Sequence, residues 1–399
     1  MALDKQPYPK AVKIWLLTGV FMVFCQVIIG GITRLTDSGL SITEWAVIQG
    51  TLPPLNAEAW EIARLAYMKH AVGQVNMQWS GPLYPEGIPM DDFKFIYFWE
   101  YFHRLWARVM GFVFLIPFII FWRKGWLSKA LMKRLGIVVL LTMLVALFGW
   151  IMVKSGLDTP ELAWVNGYKL TIHLSLATLV FAYLIWVTLP VVQPLTSDEH
   201  NKRLRSFAWR ITFVIGLQIV FGGLMAGIKA GLLFNHFPHM EINSADYSWI
   251  WIADVLKDHS KWTWENMRAY NSEEGAGFAA ALIQLLHRGT AYLLCFLIPI
   301  FFFYVRRIHK SKALAFGNRV LMLILLTQVT LGILTLWNGI GKIPLLLGVL
   351  HQAGGLLLLG VMLFVNYQFS QGGNYLLRPV KEVDTPLENV IDERPTTAS

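Results

Sequence analysis

Residues 278–305 read FAAALIQLLHRGTAYLLCFLIPIFFFYV, a run in which Arg288 is the sole Asp, Glu, Lys or Arg. At about 1.5 Å of helical rise per residue, a run this long crosses a hydrocarbon core of about 30 Å. In lipid a chain satisfies its backbone N–H and C=O groups only as a helix or a closed barrel, and the absence of period-two alternation leaves the helix. Seven further stretches pass the same test, at 12–33, 98–122, 135–153, 169–192, 208–228, 320–337 and 343–366. With 55% hydrophobic and 15% charged residues, the chain reads as an all-α membrane protein of eight transmembrane helices.

Lys and Arg set the expected orientation. The connection 123–134 holds Arg123, Lys124, Lys129, Lys133 and Arg134; 306–319 holds Arg306, Arg307, Lys310, Lys312 and Arg319; 193–210 holds Lys202, Arg203, Arg205 and Arg210. The positive-inside rule makes these connections cytoplasmic, Lys5, Lys10 and Lys13 put the N-terminus there, and an even number of crossings returns the C-terminus to the same side. The formal charge of +9 is thereby a matter of topology and calls for no nucleic acid. The first apolar run lacks a small-residue cleavage site, so it reads as a retained anchor. Cys25 and Cys295 fall inside helices, against a disulfide or a thiolate metal site.

Two long segments, 35–97 and 229–276, then face outward. Their aromatics (Trp45, Trp60, Trp79, Trp249, Trp251, Trp262, Trp264) suit partial lids, and 56–71 suits a short amphipathic helix.

An internal repeat organises the rest. Gly30-Gly31 and Gly222-Gly223 end the first and fifth helices; His103-Arg104 and His287-Arg288 follow; then come Gly149 and Gly332, and finally His173 and His351. Four features recur in one order, which predicts two repeated four-helix bundles, 1–193 and 194–370, related by an axis along the membrane normal, before a polar tail 371–399 expected to be disordered. Glycine at these places permits close approach of a neighbour or a flat ligand.

Each half thus carries two intramembrane imidazoles. His103 lies 20 residues before Arg123 and His287 lies 19 before Arg306, so the two have matched depths toward the outer face. Paired axial histidines from facing helices are the ligands of low-spin heme iron, which suggests one heme-sized site per half. A proton or substrate pathway and purely structural histidines are the other readings. Arg104 and Arg288, each beside a candidate ligand, suit either a heme propionate or an interfacial anchor.

The halves differ at one point. Glu100 precedes His103 by three residues and shares its helix face, whereas Gln284 holds that place before His287. A carboxyl group can exchange protons and an amide cannot, so the N-terminal half reads as a reaction site and the C-terminal half as an electron-transfer site. The bland alternative for Glu100 is a carboxylate paired with Arg104, Lys94 or Arg108.

These residues carry a resemblance. GGITRLTDSGLSITEW (30–45), Pro53-Pro54, IYFWEYFHR (96–104), GWIMVKSGL (149–157), GLMAG (223–227), NHFP (235–238) and His351-Gln352 resemble the heme A synthases over about 12–367. The resemblance implies oxidation of the C8 methyl of heme O to a formyl group by successive hydroxylations. It implies that His103 and His173 face the substrate heme, that Glu100 is catalytic, and that His287 and His351 ligate a heme b cofactor. It further implies heme O synthase and an electron donor as partners, a possible homo-oligomer, and a place in a bacterial plasma membrane or an inner mitochondrial membrane. The branch of Gram-positive bacteria has a cysteine pair in the first outer loop; 35–97 has none, so the chain is similar to the branch of proteobacteria and mitochondria. Two alternatives stand beside it. A diheme b-type cytochrome for quinol-linked electron transfer has no evident need of the Glu100/Gln284 difference, and a parallel-repeat transporter is expected to show broken helices at the midplane.

Overall fold

The computed structural model describes residues 5–44, 49–71, 87–157, 165–193, 201–238, 257–264, 267, 276–308, 311–370 and 378–379. Eight described helices are long and apolar enough to cross a membrane. They are α1 (Lys10–Leu35), α2 (Met90–Arg123), α3 (Lys129–Leu157), α4 (Gly167–Val192), α5 (Lys202–Gly227), α6 (Ala276–Ile308), α7 (Lys312–Trp337) and α8 (Leu345–Gln368). Polar side chains open several of them by satisfying the first free amides. Asn166 accepts from the amides of Tyr168 and Lys169 at 3.0 and 3.2 Å, Asn201 from Leu204 at 3.0 Å, and Ser311 from Leu314 at 3.3 Å.

The helices outrun the apolar runs that announced them, as at α7, which begins at Lys312 where its run begins at 320, and at α2, which begins at Met90 where hydropathy begins at 98. Asp91 and Asp92 lower the hydropathy of its first turn but suit the positive end of the helix dipole. That extension is held from outside. The surface helix Ala57–Ala71, expected at 56–71, sets Trp60 and Tyr67 against the fully buried Phe93, at ring distances of 6.3 and 5.6 Å. Trp45, Trp79, Trp249 and Trp251 lie outside the described residues, as does most of the tail. Within the tail, Arg378–Pro379 pairs as a two-residue antiparallel strand with Lys5–Gln6. Cys25 and Cys295 are both free.

Contacts among the spans recur between the two segments. α1 packs on α2 and α4, and α3 on α4; likewise α5 packs on α6 and α8, and α7 on α8. Across the middle, α4 meets α5, α8 meets α1, and α4 meets α8. Small residues let these crossings close. A Cβ on Gly227 would lie 2.7 Å from the Gly167 Cα, and one on Gly31 would overlap the Gln352 amide, which donates to the Val27 carbonyl at 2.9 Å. Beyond the ends of α1 and α5, Asp37 and Lys229 both adopt left-handed backbone (φ 51° and 54°), and the Lys229 ammonium lies 3.6 Å from the Asp37 carboxylate. Arg34 joins them, bonding Asp37 at 3.1 Å and the Ala226 carbonyl at 3.0 Å. Burial pushes the Lys229 ammonium below the usual lysine range; the Asp37 charge opposes that shift, and Arg34 adds to it.

Candidate functional site

Each of the four histidines leaves its own helix and lies against a glycine of a neighbour. A Cβ on Gly30 would stand 3.0 Å from the His103 ring, one on Gly149 2.9 Å from His173, one on Gly222 3.3 Å from His287, and one on Gly332 2.8 Å from His351. The close approach expected of these glycines is thus an approach of the imidazoles themselves. Without a Cβ in the way, a ring reaches the carbonyl one turn before the glycine: His173 Nδ1–H donates to the Val145 carbonyl at 3.0 Å, and His351 Nδ1–H to the Gln328 carbonyl at 3.1 Å. Those bonds select the tautomer and leave Nε2 with its lone pair for a metal.

The other two rings meet side chains. The Gln26 amide nitrogen lies 3.3 and 3.2 Å from the two ring nitrogens of His103 and donates to the His103 carbonyl at 3.2 Å. The Gln218 amide nitrogen lies 3.3 Å from His287 Nε2, and the Thr290 hydroxyl donates to the Gln218 amide oxygen. Neither glutamine was singled out from the sequence. A legible signal exists: Gln-x-x-x-Gly at 26–30, 218–222 and 328–332, with Val145 replacing Gln at 145–149.

In the C-terminal segment the rings of His287 and His351 face one another with centroids 6.4 Å apart at 73°. Two imidazoles bonded through nitrogen at about 2 Å to opposite sides of one metal have ring centres roughly 6 Å apart, so this pair fits the axial ligation of a heme iron. Among the described residues no group of three or more His, Cys, Asp or Glu could hold a bare ion, and a pair needs the macrocycle for its remaining ligands. His103 and His173 also lie within electrostatic reach of one another.

One turn before each first histidine the segments diverge chemically. Glu100 is 3% exposed, and its carboxylate accepts from the Ser41 hydroxyl at 2.7 Å, the Ile42 amide at 2.8 Å and Arg104 at 2.6 Å. Gln284 is fully buried, donates to the carbonyls of Ala230 and Phe234 at 3.0 Å each, and accepts from Arg288 Nε at 2.8 Å. The arginines face the same way. Arg104 also donates to the carbonyls of Glu44 and Ile42 at 3.1 and 3.2 Å, and Arg288 to that of Phe234 at 3.0 Å. Both therefore anchor the turn that follows α1 or α5, and Glu100 has the Arg104 partner that the bland reading gave it. Three donors hold this carboxyl group rigidly in place. From the surface helix, the Tyr67 phenol is pushed up to about 12 by burial first and then by the charges of Asp37 and Glu100, so a neutral hydroxyl stands near this carboxylate.

Comparison with known proteins now adds to the geometry. Residues 13–363 match a family described as cytochrome oxidase assembly protein. The chain is 38% identical over 365 residues to the heme A synthase of Flavobacterium psychrophilum, covering 91% of this chain and 99% of that one. It is 35% identical over 364 residues to the heme A synthase of Nitrosospira multiformis, covering 90% and 93%. With the Arabidopsis thaliana protein named heme A synthase COX15 it shares 33% identity over 390 residues, covering 94% and 78%.

Proposed function

The chain belongs to the heme A synthase family of multi-pass membrane oxidoreductases, and from that premise we propose that it oxidises the C8 methyl of heme O to a formyl group at a site in residues 1–193. His103 and His173 take the substrate heme, and its apolar tail is favoured in the lipid-facing grooves. His287 and His351 hold a heme b, which when bound supplies one-electron transfer to the substrate site. The basic connections face the cytoplasm, and both sites lie toward the opposite face.

Within this reading Glu100 manages protons or stabilises developing positive charge, and Ser41, Ile42 and Arg104 keep its carboxylate in one place. Arg104 and Arg288 act by fixing the chain at Ile42 and Phe234, beyond the ends of α1 and α5. Heme O synthase is the natural supplier of the substrate, and a separate donor provides electrons.

The observation that carries the reading is the replacement of Glu100 by Gln284 within otherwise matching frames of glycine, histidine and arginine. A pigment extract of the purified protein tests it. Heme A or its hydroxylated precursor is expected beside heme b; heme b alone marks an electron-transfer cytochrome and overturns the synthase.

A further inference from the structure

The two four-helix segments pack alike on three sides and differ on the fourth. The pairs α1 with α2, α1 with α4 and α3 with α4 recur as α5 with α6, α5 with α8 and α7 with α8. In addition α6 packs along α7, whereas α2 and α3, described over their whole lengths, form no such pair. Asn318 helps to hold the closed side: buried on α7, it donates to the Phe302 carbonyl of α6 at 3.0 Å. The offset of 183 residues that relates Gly332 to Gly149 puts Leu135 in its place on α3, where there is no amide to donate. Burial follows the same division. Leu294, Ile298, Phe301 and Val305 of α6 are buried, while α2 buries only Phe93 and Glu100. Toward the ends joined by 124–128, Phe114, Phe118 and Phe121 of α2 still share clusters with Leu131, Leu135 and Val138 of α3, so the separation lies nearer the histidines. There the two helices carry small residues. Ala107 lies one turn beyond His103 on the same helix face, Ala146 lies three residues before the glycine that seats His173, and both are exposed. They share a depth, 16 residues before Arg123 and 17 after Lys129. Their counterparts are Ala291 and Val329; neither is exposed, and Val329 packs on the core common to α6 and α7.

We propose that the gap between α2 and α3 is a lateral opening of the substrate site, through which the apolar tail of heme O passes over Ala107 and Ala146 into the lipid. The inference rests on the reading that His103 and His173 take heme O. Heme O carries a long apolar tail and heme b carries none, so the first needs a bundle with one side open to the bilayer and the second can be enclosed. The open side belongs to the half assigned to the substrate, and the closed side to the half assigned to the cofactor. Within a closed bundle the tail would have to displace close-packed side chains. Between α2 and α3 it replaces only lipid chains of its own polarity. The same opening lets substrate enter and product leave through the membrane, with the tail kept out of water at every turnover.

The test titrates the purified full-length protein, with heme b already in its C-terminal site, against heme O and, separately, against further heme b. Both ligands share the porphyrin and iron that the two imidazoles hold, and the heme difference spectrum reports filling of the second site. Ala107→Phe and Ala146→Val each add bulk where the tail would pass; the second installs the residue found at 329. Each should weaken heme O binding about 10-fold or more, the scale on which an apolar pocket rejects added bulk, and leave binding of heme b there unchanged. An unaltered spectrum of the resident heme b reports that the fold stands. Equal weakening of both ligands would set the two alanines against the porphyrin itself and overturn the opening. Parental heme O affinity in both variants would send the tail elsewhere and overturn it as well. His103→Ala separates this failure from failure of the site: parental heme O binding there removes the substrate-site reading, and loss of binding there beside unaffected alanine variants removes the opening alone.

Discussion

Gly332 and His351 touch so closely that a Cβ on the glycine would stand 2.8 Å from the imidazole Cε1. Gly149 and His173 have the same relationship at 2.9 Å. Helix propensity and site geometry therefore pull in opposite directions at these positions. Alanine favours a helix interior over glycine by about 1 kcal/mol, while the added methyl forces the ring from its seat at roughly 1–3 kcal/mol. Gly332→Ala should lose the low-spin heme spectrum, and Gly149→Ala should weaken binding in the other half. Gly111→Ala meets nothing within 4 Å and serves as the control, with parental heme and an unchanged or higher melting temperature. Full heme occupancy in Gly332→Ala would show that the ring is not seated on this glycine.

His287→Ala or His351→Ala should each abolish the bis-histidine heme b absorption while far-ultraviolet circular dichroism stays helical, because a ligand is lost and no helix breaker enters. Normal heme b in both purified variants would remove the cofactor assignment.

Glu100→Gln places an amide where Ser41, Ile42 and Arg104 all donate. One amide N–H then meets a donor, at about 1–3 kcal/mol, so a modest fall in melting temperature is expected beside loss of heme O oxidation by at least about 10²-fold. Substrate or partly oxidised heme should accumulate on the protein. Gln284→Glu sets a carboxylate against the Ala230 and Phe234 carbonyls; it should cost stability and create no second reaction site. Conversion at the parental rate in Glu100→Gln would leave Glu100 as the anchor of the 41–44 turn alone.

Tyr67 gives the surface helix Ala57–Ala71 a pH limit. Its folded value is raised from 10.0 to about 12, so its contribution to docking is complete below pH 10 and is lost as the pH climbs toward 12. Tyrosinate absorbance should report one phenol titrating late, and limited proteolysis within 57–71 should accelerate over that interval. Tyr67→Phe should delete the late step; a late step that survives belongs to another tyrosine.

Reporters fused after Lys129 and Lys310 should read as cytoplasmic, and those within 56–71 or 255–270 as external. An external reading at Lys129 would invert the orientation.

Legibility in the sequence followed the range of each interaction. The spans were plain because one property, apolar length, decides them, and helix ends escaped where Asp91 and Asp92 broke the hydropathy of a turn that Phe93 nonetheless buries. The four histidines and Glu100 stood out because ionisable groups are scarce in such runs. What Glu100 touches was not readable: Ser41 and Ile42 come from a loop 59 and 58 residues away, and pairing with Arg104 was one of several options. Gln26, Gln218 and Gln328 were passed over because a neutral amide in a membrane helix carries no chemistry of its own. Their meaning comes from the register between helices, which sets each of them beside a histidine.

Asp37 and Lys229 occupy the same place in the two halves, 192 residues apart as are Gly30 and Gly222, and they meet each other. Arg34 reaches Ala226, which is again its own counterpart. Residues that touch their own equivalents mark the dyad of a homodimer, where any charge on the axis confronts an identical charge. Two identical copies meeting at this contact would set two carboxylates together with Asp37 on both sides, or two ammonium groups with Lys229. In the single chain the two positions carry opposite charges, so this crossing of the α1 and α5 ends is held by attraction where a symmetric contact would meet repulsion.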